Sequence, residues 1–403
     1  MINGNTLHTG HNDKSSEETV KKQPVKKQLT IGIGTLAVLA GMPASAGVVY
    51  EGEEGTLTFG GDVEFNINAY NTQSGPIFFE DAVGTKDEYN QDGRILLDVG
   101  GERATEAGHY ARFKAQPLIQ TNGGFGLDDA WFAFGSRSGL ELKVGRYEAF
   151  DLFPLGQDTF VSYTGDTSDG LYMDGQGYVY QAKEGRGRAD SAGQVMLSQR
   201  SGDLYAEVST LFGDRTDLFA DSTYHGFDIQ EEDAKNSFIV RPVLAWTPGP
   251  WTLAAGVEAN LVDDALVDER GDDISDRMGY GTRLSYAADD WSVNVNLAYL
   301  DAHEEDNLTL GLNALWRNFG VGYIRAQNEI DDVKAGATEG FITAAGEYSV
   351  DTLYSSYRFP NVLNIDNFDI YLGAFYSRID HDEVDVEDDT DSYGGRLRFK
   401  YLF

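Results

Sequence analysis

One stretch of the sequence concentrates side chains suited to binding an uncharged polar molecule. It reads YEAFDLFPLGQDTFVSY over residues 147–163 and holds five aromatic rings and three carboxylates. Aromatic rings stack on the apolar C–H faces of sugars, and carboxylates accept hydrogen bonds from sugar hydroxyls. The alternative is that the rings only anchor the segment to the structure around it. The candidate solute-binding residues are Tyr147, Glu148, Phe150, Asp151, Phe153, Asp158, Phe160 and Tyr163.

The elements around this segment alternate apolar and polar residues with a period of two. In WSVNVNLAYL, Trp291, Val293 and Val295 share one parity, and Ser292 and Asn294 share the other. This period predicts β-strands with one apolar and one polar face. Such segments run for about ten residues or more, which is longer than usual for a globular strand. That length fits a tilted strand that crosses a membrane.

Connector lengths support the same interpretation. Tight turns such as 136–139, 247–250 and 287–290 alternate with connectors that are mostly longer and acidic. Short turns on one side and long loops on the other are typical of a transmembrane, antiparallel, up-and-down β-barrel. We count about 16 strands, with 14 or 18 as alternatives. Aromatic residues beside the turns are predicted to form interfacial girdles: Tyr70, Trp131, Trp246, Trp251, Tyr286, Trp291, Tyr299, Trp316 and Tyr323.

Basic residues recur on the polar parity of the early strands. Because those strands are close together in such a barrel, we expect the side chains to form one basic pore wall facing the acidic segment 147–163. Charge arranged in this way sets ion selectivity in a pore. Each base could instead pair locally with an acid such as Asp98 or Glu141. The wall residues are Arg94, Arg112, Lys114, Lys143 and Arg146.

The chain ends in GGRLRFKYLF, an alternating strand that finishes on an aromatic residue. This end resembles the terminal strand of bacterial outer-membrane barrels, in which a final Phe follows aromatic residues at alternate positions. The matching residues are Phe399, Tyr401 and Phe403. The resemblance implies that they form an assembly signal and that the barrel-assembly machinery is a partner.

The longest connector follows the fifth predicted strand and resembles, by position, the third extracellular loop of bacterial porins. In that family the loop folds inward and narrows the channel. The stretch GRYEAFDLFPLGQDTFVSY is most similar to sugar-selective porins of the raffinose type. The resemblance implies a homotrimer in the outer membrane, surrounded by lipid and lipopolysaccharide.

The N-terminus predicts export. Basic residues including Lys26 and Lys27 precede an apolar run, and Ala44-Ser45-Ala46 ends it. This order is typical of a cleaved signal peptide, here residues 1–46 with an extended n-region. Residues 47–403 are then a single barrel domain.

Charge and composition exclude some functions. The formal net charge is −35. Such an acidic chain is not expected to bind nucleic acid, because phosphate contacts require Lys and Arg. Connector 380–391 alone carries eight acids and no Lys or Arg. An acidic vestibule that attracts cations, a calcium site or a salt-adapted surface would each explain such loops. The absence of an EF-hand spacing disfavours calcium, and we favour the salt-adapted surface with mild cation preference.

No catalytic constellation stands out. Four histidines, His109, His225, His303 and His381, follow the leader, and three of them lie in acid-rich connectors where an Asp–His neighbour arises by chance. We therefore predict that the protein is not an enzyme and uses no cofactor or metal. The predicted function is passive diffusion of small hydrophilic solutes, sugars and ions, with a preference for oligosaccharides. The alternatives are a general diffusion porin with mild cation selectivity and a receptor or adhesin barrel.

Overall fold

The computed structural model describes most of the chain beyond the predicted signal peptide, which lies outside the described residues. The described residues are 47–52, 55–73, 85–156, 179–188, 192–214, 222–337, 344–381 and 391–403. These ranges contain nineteen strands and two short 3-10 helices, Glu231–Asp233 and Val362–Asn364. Within the same ranges, no helix is long and apolar enough to cross a bilayer.

The strands are numbered in chain order. The first eight are β1 (Gly47–Gly52), β2 (Gly55–Gln73), β3 (Thr85–Ala104), β4 (His109–Gln120), β5 (Phe125–Ser136), β6 (Leu140–Arg146), β7 (Ala192–Ser201) and β8 (Leu204–Gly213). A small hairpin of β9 (Thr223–Tyr224) and β10 (Phe227–Asp228) follows. The remaining strands are β11 (Ser237–Trp246), β12 (Trp251–Asn260), β13 (Arg277–Ala287), β14 (Trp291–Ala302), β15 (Glu305–Trp316), β16 (Phe319–Ile330), β17 (Gly346–Phe359), β18 (Phe368–His381) and β19 (Asp391–Leu402).

Sixteen of the described strands, β2–β8 and β11–β19, close into one antiparallel barrel. Strand β8 pairs with β11 across the small hairpin, and β19 pairs with β2 to complete the circle. The closure ends in two backbone hydrogen bonds of 3.1 Å between Gly61 and Phe403. A closed barrel leaves no sheet edge unpaired around its circumference. The predicted count of sixteen strands is therefore confirmed.

The period-two pattern sorts side chains between the two faces of the barrel. On β14, Val293, Val295 and Leu297 are exposed on the outer face, whereas Asn294 and Asn296 are buried on the inner face. Large apolar residues are exposed along the outer face of the described strands, which is the composition that lipid requires. Aromatic pairs lie at the turn ends of neighbouring strands, as with the Trp291 and Trp316 rings, whose centroids are 5.9 Å apart.

The two ends of the barrel differ in their connectors. On one end, the turn side, most connectors are short, for example the two residues between Ser201 and Leu204 and the two between Trp316 and Phe319. On the other end, the loop side, the connector between Arg146 and Ala192 is much longer. We call this connector, residues 147–191, the third loop.

The polarity of the wall reverses near the loop side of β16–β18. Here Arg325, Glu329 and Arg378 are exposed on the outer face, while Ile324 and Ile379 are buried on the inner face. The inner residues form an apolar cluster with side chains of the third loop. The barrel therefore has a packed, partly apolar interior at this end.

Candidate functional site

The described part of the third loop consists of two limbs, residues 147–156 (the first limb) and 179–188 (the second limb). The limbs are joined at their base by an antiparallel bridge between Glu148 and Gly187. Ala149 N donates a hydrogen bond of 2.8 Å to the carbonyl of Arg186 beside it. Gly187 has φ +121, and a Cβ there would collide with the Tyr147 carbonyl, so this position requires glycine. The backbone contacts at this base therefore hold the two limbs beside each other.

Inner-wall side chains hold the first limb through its carbonyl groups. Pro154 O accepts hydrogen bonds from Asn296 Nδ2 on β14 (2.9 Å) and Asn313 Nδ2 on β15 (2.7 Å). The hydroxyl of Tyr354 on β17 donates to Leu155 O at 2.6 Å. The asparagines of the alternating strands thus satisfy backbone acceptors that would otherwise be buried without partners.

Apolar packing secures the same limb. Phe153 is 0% exposed and lies in a cluster with Leu155, Ala298 and Leu300. A Cβ at Gly311 on β15 would stand only 2.6 Å from the Phe153 ring, so the ring contacts bare backbone. Burial of a Phe side chain is worth roughly 1.5–3 kcal/mol relative to exposure. The sequence allowed either a solute-binding or an anchoring role for this ring, and its burial favours anchoring.

A buried carboxylate on β12 holds the second limb. Glu258 accepts hydrogen bonds from the hydroxyl of Tyr180 (2.5 Å) and from Gly185 N (3.0 Å), and it pairs with Arg241 on β11 (3.2 Å). Burial, followed by the nearby Glu258 carboxylate, raises the pKa of Tyr180 well above its ordinary value, so the phenol stays a donor. Arg277 on β13 also pairs with Glu184 of this limb at 2.9 Å.

A chain of alternating charges connects the loop base to β5. Arg188 pairs with Asp128 (2.7 Å), with Asp129 (3.0 Å) and with Glu148 (3.4 Å). Glu148 in turn pairs with Arg186 at 3.1 Å. These contacts place the predicted residue Glu148 in a structural ion-pair network, where it is only partly buried.

Asp151 terminates this chain of charges inside the barrel. Its carboxylate lies 3.7 Å from Arg186 and accepts a hydrogen bond of 2.9 Å from Phe153 N. Burial by itself would raise the pKa of Asp151. The opposing charges of Arg186 and Lys183 and the backbone hydrogen bond outweigh burial and lower the pKa to about 2. Asp151 is therefore an ionised anchor of the first limb.

Of the remaining predicted loop residues, two lie in the described part of the loop and three do not. Tyr147 is 1% exposed, and its hydroxyl lies 3.3 Å from Ser209 Oγ on β8, again as an anchor. Phe150 is half-buried, with its ring centroid 5.9 Å from that of Tyr205. The other three, Asp158, Phe160 and Tyr163, lie outside the described residues.

Three of the residues predicted to form the basic pore wall lie in ion pairs with a consistent orientation. The side chain of Arg112 is 39% exposed and pairs with Glu141, whose side chain is 7% exposed. Lys114 is 25% exposed and lies 3.7 Å from Asp98, which is 7% exposed. Arg94, 30% exposed, lies 3.5 Å from the buried Asp62. The local pairing that the sequence left open as an alternative is thus present, but the cation of each pair is the member that reaches solvent.

The other two basic residues are more enclosed. Lys143 lies 3.9 Å from Glu141, and its ammonium stands 4.8 Å from the centre of the Trp131 ring. Arg146 donates through Nε to the carbonyls of Leu127 (2.9 Å) and Asp128 (2.8 Å). Arg146 therefore secures the backbone at the loop base, which is a structural contact.

Two aromatic residues on the same wall were not recognised as site residues from the sequence. Trp131 was predicted to lie in an interfacial girdle, but its ring lies inside the barrel, opposite Lys114 in the β4–β5 register. The guanidinium of Arg112 lies 5.4 Å from the Tyr110 ring and 5.6 Å from the Trp131 ring. The sequence pattern that indicates an inward Trp131 is the period of two along β5. Phe132 and Phe134 lie on the opposite parity and are both exposed on the outer face.

The loop-side mouth is partly closed by contacts between connectors. Arg270 pairs with Asp268 (2.7 Å), Glu304 (3.0 Å) and Asp332 (3.0 Å), which belong to three different connectors. Its guanidinium also stands 3.6 Å from the centre of the Phe227 ring in the small hairpin. Part of the predicted acidic surface is therefore neutralised by this arginine. Most of the acidic connector 380–391 lies outside the described residues.

The terminal strand β19 closes the barrel by pairing with β2. Its aromatic residues contact the outer face of β2, with ring centroids 6.2 Å apart for Phe399 and Phe65 and 6.3 Å apart for Phe403 and Phe59. Tyr401 is exposed on the same face. Their role as an assembly signal stays a prediction.

A closed sixteen-stranded barrel with an apolar outer face, a polar inner wall and the described limbs of a long connector packed against that wall defines an outer-membrane porin. The family described as porin-like glycoporin RafY matches residues 59–403. The chain therefore belongs to this family and resides in the bacterial outer membrane. Its family and fold are those of a channel rather than an enzyme. No curated protein sequence matches the chain significantly.

Solved structures share the fold at low sequence identity. The anion-selective porin from Comamonas acidovorans is 15% identical with a TM-score of 0.54, and the match covers 87% of this chain and 100% of that one. The loop L8 deletion mutant of OmpT, an outer membrane protein of Vibrio cholerae, is 13% identical with a TM-score of 0.50, and the match covers 86% of this chain and 100% of that one. In-vitro folded OmpT of Vibrio cholerae in its trimer form is 12% identical with a TM-score of 0.50, covering 86% and 99%. These likenesses concern the barrel fold alone.

Proposed function

We propose that the protein forms a water-filled channel for passive diffusion of small hydrophilic solutes, with a preference for oligosaccharides. One observation carries the proposal. Beyond the loop base, which contacts β5 and β7, the described limbs of the third loop are held against β8 and β11–β17, whereas the wall of β3–β5 keeps partly exposed polar side chains. Solutes would then pass between the loop and this exposed wall. The glycoporin description of the family supports the preference for sugars.

Solute contacts in this channel would come from the partly exposed residues. Glu148 and Phe150 on the loop and Tyr110 and Trp131 on the wall are half-buried and face the barrel interior. Their rings would stack on sugar faces, and the carboxylate would accept hydrogen bonds from hydroxyls. The buried rings of the first limb would instead keep the loop in place. Asp158, Phe160 and Tyr163 remain proposed solute-binding residues.

Assembly and export complete the proposal. Residues 1–46 would be removed as a signal peptide, and the terminal strand would be read by the barrel-assembly machinery. The protein would function as a homotrimer in contact with lipopolysaccharide and lipid. The acidic connectors support, as a second candidate, a general diffusion porin with mild cation preference.

Single-channel conductance in planar bilayers tests the sugar preference. Raffinose, maltose and glucose would be titrated against the protein and against Trp131→Ala, with Trp291→Ala on the outer face as the matched control. We expect block by an oligosaccharide that weakens in Trp131→Ala and is retained in Trp291→Ala. A large conductance without block by any sugar would leave only the general porin. A refolded protein that forms no channel would favour a receptor or adhesin barrel.

A further inference from the structure

On the partly exposed inner wall near β4, the basic side chains lie closer to solvent than the acidic side chains that they pair with. In the pairs of Arg112 with Glu141 and of Lys114 with Asp98, the cations are 39% and 25% exposed and both carboxylates are 7% exposed. The acids thus lie behind the bases, against the strands. A solute that passes this wall meets guanidinium and ammonium groups first, although the whole chain carries a net charge of −35.

These cations stand beside aromatic rings in a fixed arrangement. Arg112 is positioned near Tyr110 and Trp131 at 5.4 and 5.6 Å, and the Tyr110 hydroxyl donates to the same Glu141 at 2.8 Å. Glu141 therefore holds both the guanidinium and the phenol. Cation–π contacts and shared acceptors restrict the motion of a side chain before a ligand arrives, which lowers the cost of binding.

Lys114 is held more loosely. Its ammonium lies 3.7 Å from Asp98 and 3.8 Å from Asp129, which are ion-pair distances longer than a direct hydrogen bond. An ammonium group has three donors, so Lys114 can donate to an anionic ligand while it stays near both acids. It lies directly opposite Trp131 in the β4–β5 register.

From this juxtaposition we propose that Tyr110, Arg112, Lys114 and Trp131 form a binding subsite for a carboxylate-bearing saccharide. The Trp131 and Tyr110 rings contact the apolar face of one sugar unit, and Arg112 and Lys114 donate to its carboxylate. The inference rests on the proposed diffusion function and adds a charge class to its sugar preference. The preference depends on contact, because the paired acids leave little net charge on the wall. The preference for the charged saccharide therefore persists at high salt. At 1 M the Debye length is about 3 Å, so the charges of the acidic loops are screened.

Trigalacturonate and its fully methyl-esterified form provide a matched pair of probes, because esterification removes the charge and keeps the sugar. Block of single-channel current by each would be titrated in 1 M KCl for the protein and for Arg112→Gln/Lys114→Gln. The control variant is Arg325→Gln, since Arg325 is 43% exposed on the outer face of β16. We expect the acid to block at a concentration about threefold lower than the ester, as for a partly exposed ion pair. The difference is lost in the double variant and retained in Arg325→Gln.

The inference is overturned if acid and ester block equally, or if their difference persists in Arg112→Gln/Lys114→Gln. Equal block by both forms would leave the proposed function intact, with no charge preference. If the wild-type protein forms no channel, both the proposed diffusion function and the proposed saccharide subsite are overturned. A change in gel migration between unheated and heated protein checks that each variant forms its barrel, and Lys114→Met alone replaces the double variant if that one does not fold.

Discussion

The hydroxyl of Tyr180 in the third loop donates a hydrogen bond of 2.5 Å to the Glu258 carboxylate on β12, which also pairs with Arg241 at 3.2 Å. One carboxylate thus joins two barrel strands to the connector inside them. The loop is held by the interior of the barrel and depends on it for its position.

Removing the donor and removing the acceptor of this hydrogen bond should destabilise the protein to different extents. Tyr180→Phe removes one donor and should destabilise the loop by about 1 kcal/mol. Glu258→Ala leaves Arg241 buried with a weaker partner, Glu207 at 3.6 Å, and should cost about 3–5 kcal/mol. The measurement is the frequency of current fluctuations in single channels together with the unfolding midpoint in urea. Equal effects of both changes would contradict the central role of Glu258.

The Phe153 ring should keep the loop in place through packing. Phe153→Ala leaves a cavity in the apolar cluster, with an expected cost of about 3–5 kcal/mol. Because the first limb is then less restrained, we expect larger and noisier single-channel conductance. Phe150→Ala is the control, since that ring is only half-buried and should change the conductance less. Unchanged conductance in Phe153→Ala would show that the hydrogen bonds alone hold the limb.

The loop base should not tolerate a side chain at position 187. Gly187→Ala combines a φ of +121 with a collision against the Tyr147 carbonyl, so the bridge to Glu148 should open. Gly202→Ala is the matched control, because Gly202 also has positive φ (+57) but has no atom near its missing Cβ. We expect protease cleavage within the third loop in the first variant only. Similar cleavage of both would indicate a general effect of lost glycine.

The ionised Asp151 predicts how the channel responds to acid. Its pKa in the folded protein is about 2, lower than the ordinary 3.8, so its contribution is fully present above about pH 4 and is lost as the pH falls through 2. Conductance should therefore stay constant from pH 7 to pH 4 and change between pH 4 and pH 2. Asp151→Asn should lack this transition. A transition near pH 5 in the unmodified protein would point to another group.

The mouth of the barrel should loosen without Arg270. Arg270→Ala removes ion pairs to Asp268, Glu304 and Asp332 at once and leaves the strands untouched. We expect faster proteolysis of the connectors and little change in the unfolding midpoint. Arg270, Glu304 and Asp332 are partly exposed, and the buried Asp268 carboxylate keeps its hydrogen bonds from the backbone N–H groups of residues 270 and 272. Lys235→Ala is the control, since its side chain forms an exposed ion pair with Asp264 at 3.8 Å. A lowered midpoint in Arg270→Ala would mean that the connectors help to hold the barrel.

Much of this fold was predictable because a barrel wall imposes one rule at every position. Alternation along each strand, together with short turns, located all sixteen barrel strands. The same rule placed Arg112 and Lys114 on the inner face. It also put Phe399 and Tyr401 on the outer face, where the described strand has them.

The site was less predictable because its contacts join residues far apart in the chain. Whether Phe153 meets solvent or wall depends on Gly311, which is 158 residues away along the chain. The inward position of Trp131 contradicts its predicted place in the girdle, because that prediction rested on aromatic residues lying beside turns and did not use the parity of the strand. Near the loop side the parity rule reverses, as at Ile324 and Arg325, because the packed loop replaces water inside.

That reversal fixes how deep the barrel can sit in its membrane. Outward residues of β16 change from Phe319, Val321 and Tyr323 to Arg325 and Glu329 over a few positions. At its centre, hydrocarbon would destabilise Arg325 by about 2–4 kcal/mol and Glu329 by less, so on this flank we expect the lipid to end near Tyr323. The flank beyond it stands above the hydrocarbon as a collar, and reagents or antibodies in the medium can reach strand surfaces there as well as loops.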